Sequence, residues 1–372
     1  MANNGKRPAS KPATTKKAKA RKRNKIILFT VEIMILAVLL GALWILKDFG
    51  TTKDGKGGKG PLFAVDFNEG EITVNEQVKD NVHMDGYRNI ALFGVDSRSG
   101  ELAKGTLSDS IMIASINLET GDVRLVSVYR DTYLNLGNDK YGKCNGAYSA
   151  GGAEQAIKML NMNLDLDIKE FVTVGFEGLT ATIDALGGVY LDVDDEELKH
   201  INSYQKTMAE DLKISWEPVT DTGYQLLNGL QATAYCRIRY KTGNDFARAS
   251  SQREVIQAIV DETKKADLQT LVKVANDVSD YVYTSFSLEE IISLLGDVSK
   301  YSIAEESGFP ETTMRGSSNL GSRSYVYAIN LDDNVKWLHE FLFGDTNYEP
   351  SKEVKECSNV IHDFVSQYVS ID

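Results

Sequence analysis

Only four histidines occur in the 372 residues: His83, His200, His339 and His362. They are scattered, and with three cysteines they form no spacing that could close around zinc. The complete G-x-x-x-x-G-K-[ST] run of a phosphate-binding loop is missing, as is the G-x-S-x-G turn of a serine hydrolase. "SYQK" (Ser203–Lys206) and "KTG" (Lys241–Gly243) echo penicillin-binding enzymes, but no S-D-N triplet lies between them. There is no internal repeat. Base is also short over most of the chain. The net charge is −12, yet ten of the 41 Lys and Arg crowd into residues 1–25, where there is no acid. The remainder is therefore strongly acidic, which excludes a general nucleic-acid binder.

What the chain does have begins with "IILFTVEIMILAVLLGALWIL", Ile26 to Leu46. As a helix this run spans about 30 Å, the apolar thickness of a bilayer. It continues through Trp44, Ile45 and Leu46 without an A-x-A-like cleavage site, so it reads as a retained anchor rather than a signal peptide. The basic tail 1–25 then stays in the cytoplasm, and everything after Leu46 lies outside the cell membrane. Glu32, near the basic end, is expected to snorkel or pair with a cation. Residues 47–86 form a linker and juxtamembrane segment, opened by the flexible "TTKDGKGGKG". A main domain is expected over 87–345 and a C-terminal tail over 346–372.

Within that domain "NIALFGVD" and "SIMIASIN" read as buried strands, and "VRLVSVY" returns from the second as a hairpin. A helix starting near Gly152, the strand "FVTV", the helix "FEGLTATIDALGG" and the strand "VYLDV" follow. Residues 194–222 read as a long surface loop. "LLNGLQATAY", Phe246 to Lys265, two segments within 267–300, and Asp332 to Phe343 read as helices, and "YVYAIN" as a strand. The alternation predicts an α/β domain with a mixed central sheet sandwiched between helices.

"YCRIRYKTGNDFARASSQRE" (Tyr235–Glu254) gathers Arg237, Arg239, Lys241, Arg248 and Arg253 within an acidic domain. Arg237 and Arg239 would share a face on an extended segment but not on a helix. Asp245 reads as the N-cap of the next helix, on which Arg248 and Gln252 share a face. With the helix's N-terminal amides, these residues can cradle a diphosphate. The alternative is a helix with solvated charges. Asp96 and Asp109 sit at strand ends, as do Arg130 and Asp131. The first two can share Mg²⁺, or Mn²⁺ in its place, or serve only as turn formers and caps.

"NIALFGVDSR", "SDSIMIASIN", "VSVYRDT", "KCNGAYSAGG", "LLNGLQATAYCRIR" and "NDFARASSQRE" resemble, in order, the motifs of the LytR-CpsA-Psr family of bacterial cell-envelope proteins. Two departures are Tyr129, where the family usually has proline, and Cys144 in the asparagine motif. The resemblance implies an extracytoplasmic phosphotransferase. Such an enzyme moves a glycopolymer, such as a teichoic acid or capsule chain, from a polyprenyl diphosphate carrier to peptidoglycan as a phosphodiester. It places Mg²⁺ on Asp96 and Asp109, and the diphosphate on Arg98, Arg130, Arg237, Arg239 and Arg248 with Gln252 beside them. Asp245 would orient the arginines, and Asp131 is the candidate base. "FVTV" and "FEGLTATIDALGG" would wall the lipid. Phosphoryl transfer asks mainly for neutralised charge and positioning, which fits this set. A hydrolase of the same lipid diphosphate, and a non-enzymatic tether for anionic polymer, are the alternatives. Two carboxylates beside the phosphate speak against the tether. An oxidising exterior would also permit a Cys144–Cys236 disulfide, leaving Cys357 free.

Overall fold

The computed structural model describes residues 72–97, 101–239, 245–286, 290 and 298–370. The basic tail, the expected anchor with Glu32, Arg98 and Lys241 lie outside these residues. Among the described residues no helix is long and apolar enough to cross a membrane.

A short helix α1 (Glu76–Lys79) leads into three long strands: β1 (Tyr87–Val95), β2 (Ser108–Asn117) and β3 (Asp122–Val128). Their near-continuous burial matches their apolar composition. β4 (Tyr133–Asn135) and β5 (Tyr141–Lys143) form a small hairpin before α2 (Asn145–Leu164). α2 starts earlier than the glycine pair suggested. It absorbs Gly151 and Gly152 as a kink, with Gly152 at φ +69°, where a Cβ would collide with the Ala103 carbonyl. β6 (Glu170–Gly175) and α3 (Phe176–Leu186) follow.

β7 (Val189–Val193) does not join the main sheet. It pairs antiparallel with β8 (Gly223–Leu227), enclosing α4 (Asp195–Leu212). The loop expected over 194–222 is therefore corrected over Asp195–Leu212, which is a helix, and holds over 214–222. Asp194 accepts from the amides of Glu196 and Glu197, and Glu197 returns a carboxylate to the Asp194 amide, closing a capping box. Ile201, Gln205, Met208 and Ala209 make a narrow buried face, too sparse in apolar residues to stand out in the sequence.

α5 (Gly229–Tyr235), α6 (Asp245–Lys265) and α7 (Leu268–Val278) come next. β9 (Val282–Thr284) follows α7, and Glu290 beyond it is helical; residues 287–289 and 291–297 lie outside the description. β10 (Ser302–Phe309), the hairpin β11 (Arg315–Leu320) and β12 (Arg323–Ala328), α8 (Leu331–Phe343) and α9 (Lys352–Val365) complete the order.

The main sheet runs β10-β3-β2-β1-β6-β9. β1 is antiparallel to β2 and parallel to β6, so the sheet is mixed. One face packs on α2, α8 and α9 through residues such as Phe93, Leu160, Leu338 and Ile361. The other carries Leu92, Met112, Val172 and Val260. The segment set apart as a C-terminal tail thus contributes Val354, Cys357, Ile361 and Val365 to the core. Residues ahead of β1 are also fastened: the Asn75 amide donates to Asp165 Oδ1 at 2.6 Å.

Candidate active site

β1 and β6 end side by side, with Val95 opposite Gly175, and β2 starts at the same edge. Strand ends there expose backbone and polar side chains, the usual place for a ligand on an α/β sheet. The β1–β2 register breaks at this point. Gly94 faces Ser110 but Val95 faces Ser108, so Asp109 is the extra residue of a bulge. A bulge re-aims its side chain, and this one turns a strand residue toward the site. Asp96 follows β1 directly; its carbonyl accepts from Thr106 Oγ1 at 3.0 Å. Arg130 follows β3. The turn that carries it is pinned to the start of α2, where the Asn145 amide donates to the Arg130 carbonyl at 3.1 Å.

The charged groups interlock. Arg130 pairs with Asp109 Oδ1, with Asp245 Oδ1 at 3.2 Å and, more loosely, with Asp131 at 3.9 Å. Burial alone would lower the Arg130 pKa, but Asp109, Asp245 and Asp131 outweigh it and hold the guanidinium above its usual range. Arg248 donates from Nη2 to Asp245 at 2.7 Å and to the Asp109 carbonyl at 3.3 Å. Its Nε and Nη1 have no partner among the described residues, although the residue is only 3% exposed. Burial, with Arg130 and Arg239 nearby, pushes its pKa down to about 10 despite Asp245. It therefore stays charged at neutral pH, with two buried donors awaiting an anion. Arg239 stands 3.9 Å from Asp109 Oδ2 and is partly exposed. Arg237 lies over the rings of Phe176 and Tyr204, at 4.7 and 5.6 Å from their centroids.

Two compartments meet here. A cavity of about 470 Å³ is lined by Asp96, Asp109, Arg130, Arg237, Arg239 and Arg248, among others. An apolar slot of about 150 Å³ runs between the sheet and helices α3 and α6, past Val172, Leu179, Val255, Ile256 and Ile259. Asp109, Phe176, Cys236 and Gln252 line both. One molecule with a charged head and an apolar tail fits the pair.

The structure thus gathers Asp96, Asp109, Arg130, Arg237, Arg239, Arg248 and Gln252 around one space, with Asp245 behind the arginines. Other expectations are corrected. Asp131 is not among the residues that line the cavity; it pairs with Lys143 Nζ at 3.1 Å and lies 3.9 Å from Arg130 Nε. Arg253 is structural, donating to Ser127 Oγ at 2.9 Å and facing Glu306. The "RIR" segment is a turn, not an extended run: the amides of Arg237 and Ile238 close onto the carbonyls of Ala234 and Tyr235. Asp245 stands inside the first turn of α6 rather than before it, and pairs with Arg248 one turn on. The proposed disulfide does not form. All three cysteines are free and buried, and the Cys144 thiol donates to the Tyr129 and Arg130 carbonyls. Burial pushes the Cys236 pKa up to about 12, so it is an inert thiol. Phe176, expected only in the lipid wall, also forms with Tyr204 an aromatic shelf under Arg237, and sequence reasoning missed Tyr204. Tyr204 was hidden inside the unrecognised α4.

This fold and site define a bacterial envelope class, and the comparison is direct: the LytR_cpsA_psr family matches residues 64–340. The chain belongs to that family. It is 27% identical over 213 residues to the polyisoprenyl-teichoic acid–peptidoglycan teichoic acid transferase TagV of Bacillus subtilis, a match covering 55% of this chain but only 51% of TagV. Identity to the TagU transferase of Oceanobacillus iheyensis is also 27%, over 76% of this chain and 83% of that protein. Among solved structures, TagT with bound octaprenyl pyrophosphate lipid shares the fold at a TM-score of 0.54 and 22% identity, over 74% of this chain and 98% of TagT.

Proposed function

We propose that this chain is an extracytoplasmic phosphotransferase that joins a glycopolymer, a teichoic acid, capsule chain or similar, from a polyprenyl diphosphate carrier to peptidoglycan. The observation that carries the reading is the apolar slot opening into an arginine-lined cavity. The TagV and TagU relatives bear the name of this activity. The prenyl chain would lie between the sheet and helices α3 and α6. The diphosphate would take the two free donors of Arg248, with Arg130, Arg237 and Arg239 around it. Asp245 holds Arg130 and Arg248 at fixed positions, so little reorganisation accompanies charge build-up. An acceptor hydroxyl of peptidoglycan attacks the glycan-linked phosphorus. The bond to the bridging oxygen breaks, polyprenyl phosphate leaves, and the hydroxyl proton is lost.

Asp96 and Asp109 are oxygen donors on the wall of this cavity, and Asp109 Oδ2 is beyond hydrogen-bonding distance of Arg239. That suits Mg²⁺ or Mn²⁺, which takes one or two carboxylates and completes its shell with phosphate oxygens and water. Among the described residues no group of three or more His, Cys, Asp or Glu could hold an ion alone. When bound, the ion would neutralise diphosphate charge. Asp96→Ala should abolish turnover that depends on added metal; full activity of that variant in chelator would refute the assignment. Residues 26–46 would anchor the chain with residues 1–25 in the cytoplasm. Protease added to intact spheroplasts should then remove a C-terminal tag and spare an N-terminal one, and the reverse pattern would refute the orientation.

The test of function is transfer of labelled glycan from a lipid diphosphate to peptidoglycan oligomers by the full chain. Removing one member of a desolvated charge pair costs about 2–5 kcal/mol, so Arg237→Ala with Arg239→Ala should weaken productive binding at least tenfold. Unchanged turnover in that double variant would end the diphosphate assignment.

A further inference from the structure

Most of the molecule hides its apolar side chains, but the β7–β8 hairpin displays them. Tyr190, Tyr224 and Leu226 are 42%, 74% and 50% exposed. The alternation of the two strands puts them on one face, with Tyr190 opposite Leu226 and Asp192 opposite Tyr224. The tyrosine rings stack at 5.4 Å. Lys265, the last residue of α6, reaches the Tyr190 ring at 5.9 Å, and exposed Lys264 precedes it.

The position of this face within the fold is informative. Both helices that wall the slot start at the charged cavity and run away from it. On α6, Gln252 lines both compartments, Val255 to Val260 line the slot, and the helix ends at Lys265. From Gln252 to Lys265 is about 20 Å of helix. On α3, Phe176 lines both compartments, Thr182 the slot, and the chain then turns through Gly187 and Gly188 into β7. The hairpin therefore stands beyond the tail end of the slot. β1 also begins at that end, since it runs from Tyr87 toward Asp96 at the cavity. The part of the chain nearest the apolar run 26–46 enters the sheet there.

We propose that the exposed face of the β7–β8 hairpin, with Lys264 and Lys265, rests on the lipid bilayer. Stacked tyrosines with an aliphatic neighbour and flanking lysines suit the boundary between headgroups and acyl chains. This docking points the tail end of the slot at the membrane and the charged cavity at the wall. It rests on the reading that the slot takes a prenyl chain. A stacked tyrosine pair beside Asp192 is also a surface on which a sugar ring can lie, but Leu226 and the location favour lipid.

The test places an environment-sensitive fluorophore on single introduced cysteines in the full chain reconstituted in phosphatidylglycerol and phosphatidylethanolamine vesicles. The three native cysteines are buried and do not compete. Tyr224→Cys and Leu226→Cys report the face; Val360→Cys, 43% exposed on α9, is the control. Nitroxide carried on lipid should quench positions 224 and 226 at least about threefold more than 360, and aqueous iodide about threefold less. Equal iodide quenching at 224 and 360 would overturn the proposal. So would protection of 224 by peptidoglycan oligomers without lipid quenching, which would mark a sugar platform. No donor substrate is present, so this outcome is independent of whether transfer is observed.

Discussion

Arg248 holds a positive charge at 3% exposure with two donors unmatched, which costs the folded chain stability and readies it for an anion. Arg248→Met keeps most of the volume and removes the charge. Asp245 loses one partner but keeps Arg130, and the cost of burying Arg248 is removed with it, so the melting temperature should change little, while affinity for a prenyl diphosphate falls by roughly tenfold or more. Parallel calorimetric melting and lipid-diphosphate binding would show this divergence; a variant that loses stability but keeps affinity contradicts it. The meeting of Arg130, Arg237, Arg239 and Arg248 with Gln252 and Asp109 at one cavity was legible because residue type, charge contrast and strand-end position all point the same way. The pairing of Asp131 was not, because its partner is distant in sequence. That partner, Lys143, lies twelve residues on. The bulge that turns Asp109 toward the cavity was equally hidden, since register is a property of two strands.

At the scale of elements, the start of α6 is fixed against the turn after β3 by three side chains. The Phe246 and Tyr129 rings meet edge to face at 4.6 Å, and the Arg315 guanidinium caps Phe246 at 3.8 Å while donating to the Tyr129 hydroxyl at 2.8 Å. Tyr129 adjoins Arg130 and Phe246 adjoins Asp245, so this contact helps to set the distance across the charged site. Phe246→Ala and Arg315→Ala should each lower turnover with little change in the global melting temperature. Their double variant should be less than additive, because both act through one contact; full additivity in a turnover cycle would show that the cluster does not act as a unit. Such tertiary stacking leaves no trace in local sequence. Tyr129, where the related motif usually has proline, was the one visible hint. Strands β1 to β3 were legible because continuous apolar runs need burial on both faces. α4 was not, since its buried face includes Gln205 and only three apolar residues. α9 had a readable stripe in Val354, Cys357, Ile361 and Val365, spaced as one helical face, but its charge-rich opposite side resembles a tail.

For the whole molecule, that stripe matters to stability. Ending the chain at residue 350 exposes the core that α9 covers, at about 1.5–3 kcal/mol for each buried side chain. Such a loss rivals the whole margin of a typical domain, so the truncated chain should lack a cooperative melt by circular dichroism; an intact transition would show that α9 is dispensable. A second whole-molecule effect comes from His339. Its Nε2 lies 3.0 Å from the Leu164 carbonyl and its ring stacks on Tyr348. Burial pushes its pKa down to about 4 from 6.5. Between those values the unfolded chain binds a proton that the folded one refuses, so stability is full above pH 6.5 and declines as pH falls toward 4, by a total of about 3 kcal/mol. Denaturant titrations across this window should show that decline in the native chain and a smaller one in His339→Gln. The central claim, that one lipid-borne diphosphate spans slot and cavity and gives up its glycan-linked phosphorus, is tested most directly by following that atom. A polyprenyl diphosphate donor carrying ³²P in the glycan-linked phosphate is incubated with the full chain and peptidoglycan oligomers. The account predicts ³²P joined to the oligomers in a phosphodiester. Label that appears only in free phosphorylated glycan, or that never leaves the lipid, would contradict it.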